Sequence, residues 1–263
     1  FTELENNYRE ELEALGGKAV RIATPGLHSF RRDDVDAYLA AHRGEYAAIH
    51  LHLPYLASVF APKARKYGIP KVFVHCHSSR FSLEHSGWRN RILNLPTRRL
   101  ADGLIACGRD AGRVWYGARA MERGEVSVLP NAVDTEHLRF DPARRAAARA
   151  ALGLGEELTV GHVGTLTTPK NHQFLLPVFS EIRKVRPDAV LLLTGEGPLR
   201  PQVEEQIRAL GLDGSVRLLG NRRDVPDLLQ AMDLFLFPSL HEGLPVSVVE
   251  AQAAGLPVLM SAA

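Results

Sequence analysis

Short aliphatic and β-branched runs alternate with longer segments of helical period along almost the whole chain. That alternation constrains the fold most strongly, because parallel strands need a crossover long enough to hold a helix and so produce βαβ units. Two such sets are read. The first predicts strands over 18–23, 46–52, 71–77, 102–108 and 126–130, with helices over 33–42, 55–67, 86–99 and 109–116. The second predicts strands over 158–164, 189–195, 216–220, 234–239 and 257–261, with helices over 172–185, 199–210, 224–231 and 245–254. The Arg/Ala-rich stretch "DPARRAAARAALGLG" (141–155) interrupts the alternation. It is taken as the junction between an N-terminal domain over 1–140 and a C-terminal domain over 141–263. The chain opens on Phe1 in a helix-like segment and stops just after a strand-like run, so both domains are expected to be incomplete, the first lacking its opening strand.

With 45% hydrophobic and 24% charged residues, a disordered or fibrous chain is excluded. Runs such as "AVLLLTG" (189–195) have strand length and fall far short of the roughly 18 apolar residues of a membrane span. Cys76 and Cys107 both lie in apolar runs, which points to a reducing cytoplasm rather than a disulfide framework. A net charge of +2 does not call for nucleic acid, and none is expected as a partner. Basic residues concentrate in "RFSLEHSGWRNRILNLPTRR" (80–99), either a solvated helix face or a surface that meets an anionic acceptor or the inner face of the plasma membrane.

Doubly wound sheets bind ligands beyond the carboxyl ends of their strands, so the chemistry is sought there. In "SLHEGLPVSVVEAQAAGLPVLMS" (239–261), Pro245 suits the first turn of a helix and Gly255 its C-terminal cap. Were the whole interval helical, Glu242 and Glu250 would lie roughly 12 Å apart, too far for a hydrolytic carboxylate pair. The span suits an elongated ligand with hydroxyls at its ends and an anion facing the amides around 243–246. Upstream, "GHVGTLTTPKNHQFLL" (161–176) ends a strand in glycine, runs a polar loop to Lys170 and starts a helix with Asn171 as its expected cap. Lys170 there is a point charge for phosphate, although neither a Walker loop nor G-x-G-x-x-G is present. Pro177 is expected to kink or delay the helix.

The G-x-x-x-x-x-K-N loop (164–171), "LLLTGEGPLR" (191–200), "LLGNRRDVPDLLQAMDLFLFPSLHEGLP" (218–245) and the E-x7-E pair, in this order, resemble the donor-binding domain of retaining GT-B glycosyltransferases of family 4, especially bacterial exopolysaccharide and capsule enzymes. The likeness is strong over 158–261 and weaker over 1–130. It implies an α/β fold of GT-B type, two doubly wound Rossmann-like domains facing a cleft. It also implies that Lys170 holds the donor diphosphate, Glu242 the sugar hydroxyls and Glu250 the ribose. Gly164 and Thr165 belong to the phosphate loop, Gly243 and Leu244 contact sugar and phosphate, and Gly220, Asn221 and Val225 lie near the base. Thr165 stands where the family usually has an arginine, for which Arg222 or Arg223 would compensate.

The first domain carries "HLH" (His50, His52) and "HCH" (His75, His77), each pair on one side of its strand with Cys76 opposite. His-x-His is a common zinc spacing, but no acidic ligand accompanies either motif, and no metal is expected. Packing histidines are a second reading. The resemblance implies a third, in which His75, or with a shifted register His77, faces the donor sugar and acceptor. The expected function is therefore a metal-independent, retaining transfer of a hexose from a nucleotide sugar, chiefly UDP-linked, to a glycan or lipid-linked acceptor, with no further cofactor. The alternative is a catalytically impaired nucleotide-sugar binder or an epimerase of the same architecture.

Overall fold

The computed structural model describes residues 9–20, 33–79 and 87–261, which fall into two units, Phe1–Pro130 and Asn131–Ala263. The first contains α1 (Arg9–Ala14), α2 (Asp33–Ala41), β1 (Ala48–Leu51), α3 (Ala57–Lys66), β2 (Lys71–Cys76), α4 (Gly87–Asn94), α5 (Thr97–Leu100), β3 (Gly103–Ala106), α6 (Arg109–Tyr116), α7 (Ala118–Glu122) and β4 (Val126–Val128). Its strands pair in parallel in the order β1-β2-β3-β4. Of the strand expected over 18–23, residues 18–20 are not strand and 21–23 lie outside the described residues. The helix expected over 86–99 is two helices, broken at Leu95 and Pro96, because proline disfavours helical geometry in the residue before it and offers no N–H.

The second unit contains α8 (Thr135–Leu138), α9 (Pro142–Ala151), β5 (Thr159–Val163), α10 (His172–Val185), β6 (Val190–Thr194), α11 (Arg200–Ala209), β7 (Val216–Gly220), α12 (Val225–Ala231), β8 (Leu234–Phe237), α13 (Val246–Ala253) and β9 (Val258–Met260). The parallel sheet has the order β7-β6-β5-β8-β9. The inner strands β6 and β8 are nearly unbroken apolar runs because both of their faces are covered. Side-chain alternation then sorts each strand between two cores. Val190 and Leu192 of β6, with Phe235 and Phe237 of β8, pack with Leu228 and Leu229 of α12 and Val248 and Ala251 of α13. Leu191, Leu193 and Leu236 point the other way, onto Leu175, Leu176 and Phe179 of α10 and Val203 and Ile207 of α11. A fully buried side chain of this size contributes about 1.5–3 kcal/mol by leaving water. Truncating one, Leu192→Ala for instance, costs about 2–5 kcal/mol once the cavity is included.

The expected junction at 141 differs from the observed division after Pro130 because the Arg/Ala-rich stretch is a packed helix. Asp141 caps α9 through Ala143 N (2.7 Å) and Arg144 N (3.1 Å). Arg149, only 9% exposed, donates to the carbonyls of Gly155, Glu157 and Ala231 and to Thr159 Oγ1, tying α9 to the sheet. Those arginines stitch the core rather than link domains. Pro177 neither delays nor breaks α10, which starts at His172. The Gln173 carbonyl, deprived by Pro177 of its usual helical donor, accepts from Gln206 Nε2 at 2.9 Å. At the end of α13, Gly255 adopts φ +79, its N–H meets Gln252 O and that of Leu256 meets Ala251 O, the paired bonds of a glycine-terminated helix.

Candidate active site

In the second sheet β5 is central, β6 lies on one side and β8 on the other, so the chain reverses its winding direction between β5 and β8. Ligands of such sheets bind beyond the carboxyl ends of the strands at that reversal. The loop after β5 carries Lys170 and the loop after β8 carries Glu242. Thr168–Lys170 forms a single tight turn, and Asn171 follows at φ 56, a left-handed conformation that asparagine tolerates better than most residues. Asn171 precedes α10 as expected but does not cap it. Its Nδ2 donates instead to Pro238 O at 3.1 Å, at the root of the β8 loop.

That loop is held at further points. Leu240 N donates to Pro169 O (2.8 Å), Ser261 Oγ to Ser239 O (2.7 Å) and Asn131 Nδ2 to Leu244 O (2.8 Å). Asn131 was not assigned from sequence. The Pro-Asn dipeptide at 130–131 is the sequence signal that marks it.

Between the two loops, Lys170 Nζ donates to Glu242 Oε1 at 2.8 Å, with the side chains 19% and 26% exposed. The resemblance assigns these residues to different parts of a donor, and they are paired with one another. The ammonium also lies 4.9 Å from the centre of the Phe237 ring, a favourable cation–aromatic arrangement. Gly164 leaves room for the lysine stem, since a Cβ there would stand 3.3 Å from Lys170 Cδ and Cε. Beneath the pair, burial followed by the charges nearby holds two imidazoles neutral: His162 is lowered to about 3 and His172 to about 4. The Lys170 charge adds a smaller lowering to both.

Glycines let the neighbouring loops touch backbone to backbone. A Cβ at Gly195, where φ is +131, would overlap the Gly164 carbonyl, and one at Gly197 would overlap that of Leu166. Gly195 N donates to Gly220 O (2.8 Å), joining the β6 and β7 ends, and Gly220 itself sits at φ +65. Thr165 is exposed, its hydroxyl 3.2 Å from that of Thr167. Arg222, expected to compensate for it, is engaged by Asp224 through two contacts of 2.7 and 2.5 Å. Asn221 is exposed, while Val225 opens α12 and packs partly against the core.

Glu242 and Gly243 lie in the loop ahead of α13, so the all-helical span between Glu242 and Glu250 does not apply. Pro245 occupies the helix N-cap without a side-chain cap, and the first helical N–H groups have no partner within the helix. Glu250, on α13, makes no side-chain hydrogen bond or ion pair among the described residues. Burial raises its pKa, as expected for a carboxylate lacking a protein partner.

In the first unit the register of β1 with β2 aligns His50 with Phe73 and Leu51 with Val74, which sets both His-x-His motifs on one face. The rings form a cluster: His50 to His52 4.4 Å, His75 to His77 4.0 Å, His50 to His75 5.5 Å and His52 to His77 5.0 Å between centroids. His52 Nδ1 and His77 Nε2 are 2.7 Å apart, a hydrogen bond. His75 is buried and neither of its ring nitrogens has a partner. Burial and then the neighbouring histidines lower its pKa to about 4, and the same causes lower His50 and His77. Cys76 faces away, beside Tyr116, and burial raises its thiol to about 12.

Residues 6–137 match the family model described as Glycosyltransferase Family 4, and residues 157–263 match Glycosyl transferases group 1. The Bacillus subtilis protein EpsF, described as a glycosyltransferase, is 36% identical over 264 residues, covering 97% of this chain and 67% of that protein. The Escherichia coli UDP-Gal:alpha-D-GlcNAc-diphosphoundecaprenol alpha-1,3-galactosyltransferase is 27% identical over 238 residues, covering 86% of this chain but only 60% of the enzyme. The crystal structure of Anabaena Alr3699/HepE in complex with UDP-glucose superposes with a TM-score of 0.83 at 24% identity, over 97% of this chain and 70% of that one. Its complex with UDP and glucose gives a TM-score of 0.82 over 98% and 71%. By the match of both units and the likeness to EpsF, this chain belongs to the family 4 glycosyltransferases, α/β proteins of GT-B fold.

Proposed function

We propose that the chain transfers a hexose from a UDP-sugar to a glycan or lipid-linked acceptor, with retention at the anomeric carbon, in polysaccharide or glycolipid biosynthesis. The observation that carries this reading is the Lys170–Glu242 pair on the loops flanking the sheet's reversal, ahead of an uncapped helix start. An incoming diphosphate competes for the Lys170 ammonium and for the N–H groups before and at the start of α13, which suit negative charge. Released from Lys170, Glu242 accepts from sugar hydroxyls, and Glu250 accepts from the ribose.

In the transfer the bond from C1 to the β-phosphate oxygen breaks and a bond from C1 to the acceptor oxygen forms on the same face. The acceptor proton passes to the departing phosphate oxygen. Lys170 and the helix start stabilise the charge that develops there. His75, in the first unit, is assigned to the reacting sugar and acceptor, with His77 beside it. The nucleotide choice draws on the structures of HepE with UDP and UDP-glucose, and the acceptor class on the E. coli relative named for a lipid-linked sugar.

A lipid-linked acceptor suits the surface of the first unit. Trp88, Ile92 and Leu95 are 72%, 55% and 78% exposed, spaced to share one side of α4 and its end, with Arg91, Arg98 and Arg99 nearby. Apolar side chains interleaved with arginines suit peripheral contact with an anionic bilayer surface.

Thr165 in place of the usual arginine favours a second reading, a binder of nucleotide sugar without transfer. Incubation with UDP-glucose, UDP-galactose, UDP-N-acetylglucosamine and GDP-mannose, with and without lipid-linked acceptor, separates the two when UDP release and product anomeric configuration are followed. The transferase releases UDP with acceptor, and slowly without it. Nucleotide binding with no turnover of any donor selects the second reading, and an inverted product removes retention.

A further inference from the structure

We propose that His50, His52 and His75 form a binding site for a transition-metal ion of the zinc type, with His77 as the partner that orients His52. This departs from the expectation of no metal and stands apart from the donor reading, which concerns the second unit.

Three observations support it. One ring nitrogen from each of His50, His52 and His75 lies within 4.8 Å of the other two. In a tetrahedral zinc site with Zn–N near 2.0–2.1 Å, ligand nitrogens stand about 3.3 Å apart, so modest ring rotations gather the set. His50 and His52 are exposed, which gives an ion a route from solvent, while His75 forms the buried floor.

Next, His75 is 5% exposed and both of its ring nitrogens lack a hydrogen-bond partner. Such buried groups are normally satisfied, and a ligated ion satisfies one here. The His52–His77 contact supplies the usual second layer of a histidine metal site. With His52 Nδ1–H donating to His77 Nε2, the lone pair on His52 Nε2 is left for the ion.

The donor set also decides the ion. Three imidazoles and no carboxylate suit zinc, copper, nickel or cobalt and disfavour magnesium and calcium, which take oxygen ligands. The strand's alternation keeps the Cys76 sulfur on the opposite face, so the ligands are nitrogen only, with remaining positions open to water. An ion there draws on the lone pair of His75. If His75 serves the reacting sugar, the ion inhibits transfer rather than assisting it. That consequence rests on the function proposed above; the binding does not.

The test is titration of the chelator-treated full chain with Zn2+ against a chromophoric competitor, and with Co2+ followed by its visible absorption. The expected result is one ion per chain, unaffected by excess Mg2+, with the intense visible bands of four-coordinate cobalt and no thiolate charge-transfer band. His50→Asn and His52→Asn should each weaken binding by more than the roughly 10- to 100-fold typical of losing an outer-layer partner. Because His50 and His52 are both exposed, both variants are expected to fold normally, checked by circular dichroism. Absence of a one-to-one site, binding unchanged in a folded His52→Asn protein, or a thiolate band would each overturn the proposal. A donor-binding titration with UDP on the same samples, unchanged by Zn2+, keeps this outcome separate from that of the donor reading.

Discussion

Replacing Lys170 by methionine keeps the stem over Phe237 and removes the charge. The ammonium is 2.8 Å from Glu242, and both side chains are mostly shielded from water. At an effective dielectric near 20, unit charges about 4 Å apart attract by about 4 kcal/mol, of which desolvation leaves a net of about 1.5–3 kcal/mol for a charged hydrogen bond. A diphosphate that takes over this ammonium gains a contact of the same size, so Lys170→Met should weaken UDP binding by roughly 10- to 150-fold. Glu242→Gln acts oppositely on UDP alone. It releases the ammonium from a competing carboxylate, so UDP affinity should hold or rise while turnover of the UDP-sugar falls. Calorimetric titration of wild type, both single variants and the double variant reads the coupling directly. A UDP dissociation constant for Lys170→Met within twofold of wild type would refute the phosphate role.

Other consequences follow from features of the same unit and its neighbour. His162 and His172 have folded pKa values lowered to about 3 and about 4, below the unfolded value near 6.5, so the unfolded chain takes up protons first as the pH falls. Stability should therefore decline from pH 6.5 towards 4, by an amount on the order of 3 kcal/mol for His172, measured as urea midpoints across that range; a flat profile would contradict neutral burial. Gly195→Ala forces a side chain into φ +131 and onto the Gly164 carbonyl, so the melting temperature and UDP affinity should both drop, the backbone strain alone costing about 1–3 kcal/mol. Trp88→Ala should weaken sedimentation with anionic vesicles by roughly tenfold or more, given about 1.5–3 kcal/mol for burying a large apolar side chain. Equal binding of the variant would remove the membrane contact.

The strands of the second unit and its helices from α10 to α13 are legible because each buried strand is a short apolar run bounded by glycine or proline, and those helices fill the intervals between them. The donor roles proposed for Glu242, Lys170 and Glu250 follow from motif order alone. Their mutual arrangement does not: pairing Lys170 with Glu242 depends on two loops separated by 72 residues, brought together by strand order. The same holds for the histidines. "HLH" and "HCH" read as separate motifs until the β1–β2 register sets them side by side. Residues 141–155 read ambiguously because alanine and arginine suit an exposed connecting helix as well as a packed one. The carbonyl partners of Arg145 and Arg149 distinguish the two. Asn171 was assigned the commonest role for its position, a cap, whereas its left-handed backbone turns the amide across to Pro238.

The sorting of successive β6 side chains between two cores bears on how such a protein can diversify. Inserting or deleting one residue within β6 would exchange the occupants of both cores at once, a change no single compensating substitution could repair. Length variation is thereby confined to the segments that follow the strands, the same segments that carry Lys170 and Glu242. The loops can thus be remodelled while the scaffold beneath stays fixed in register.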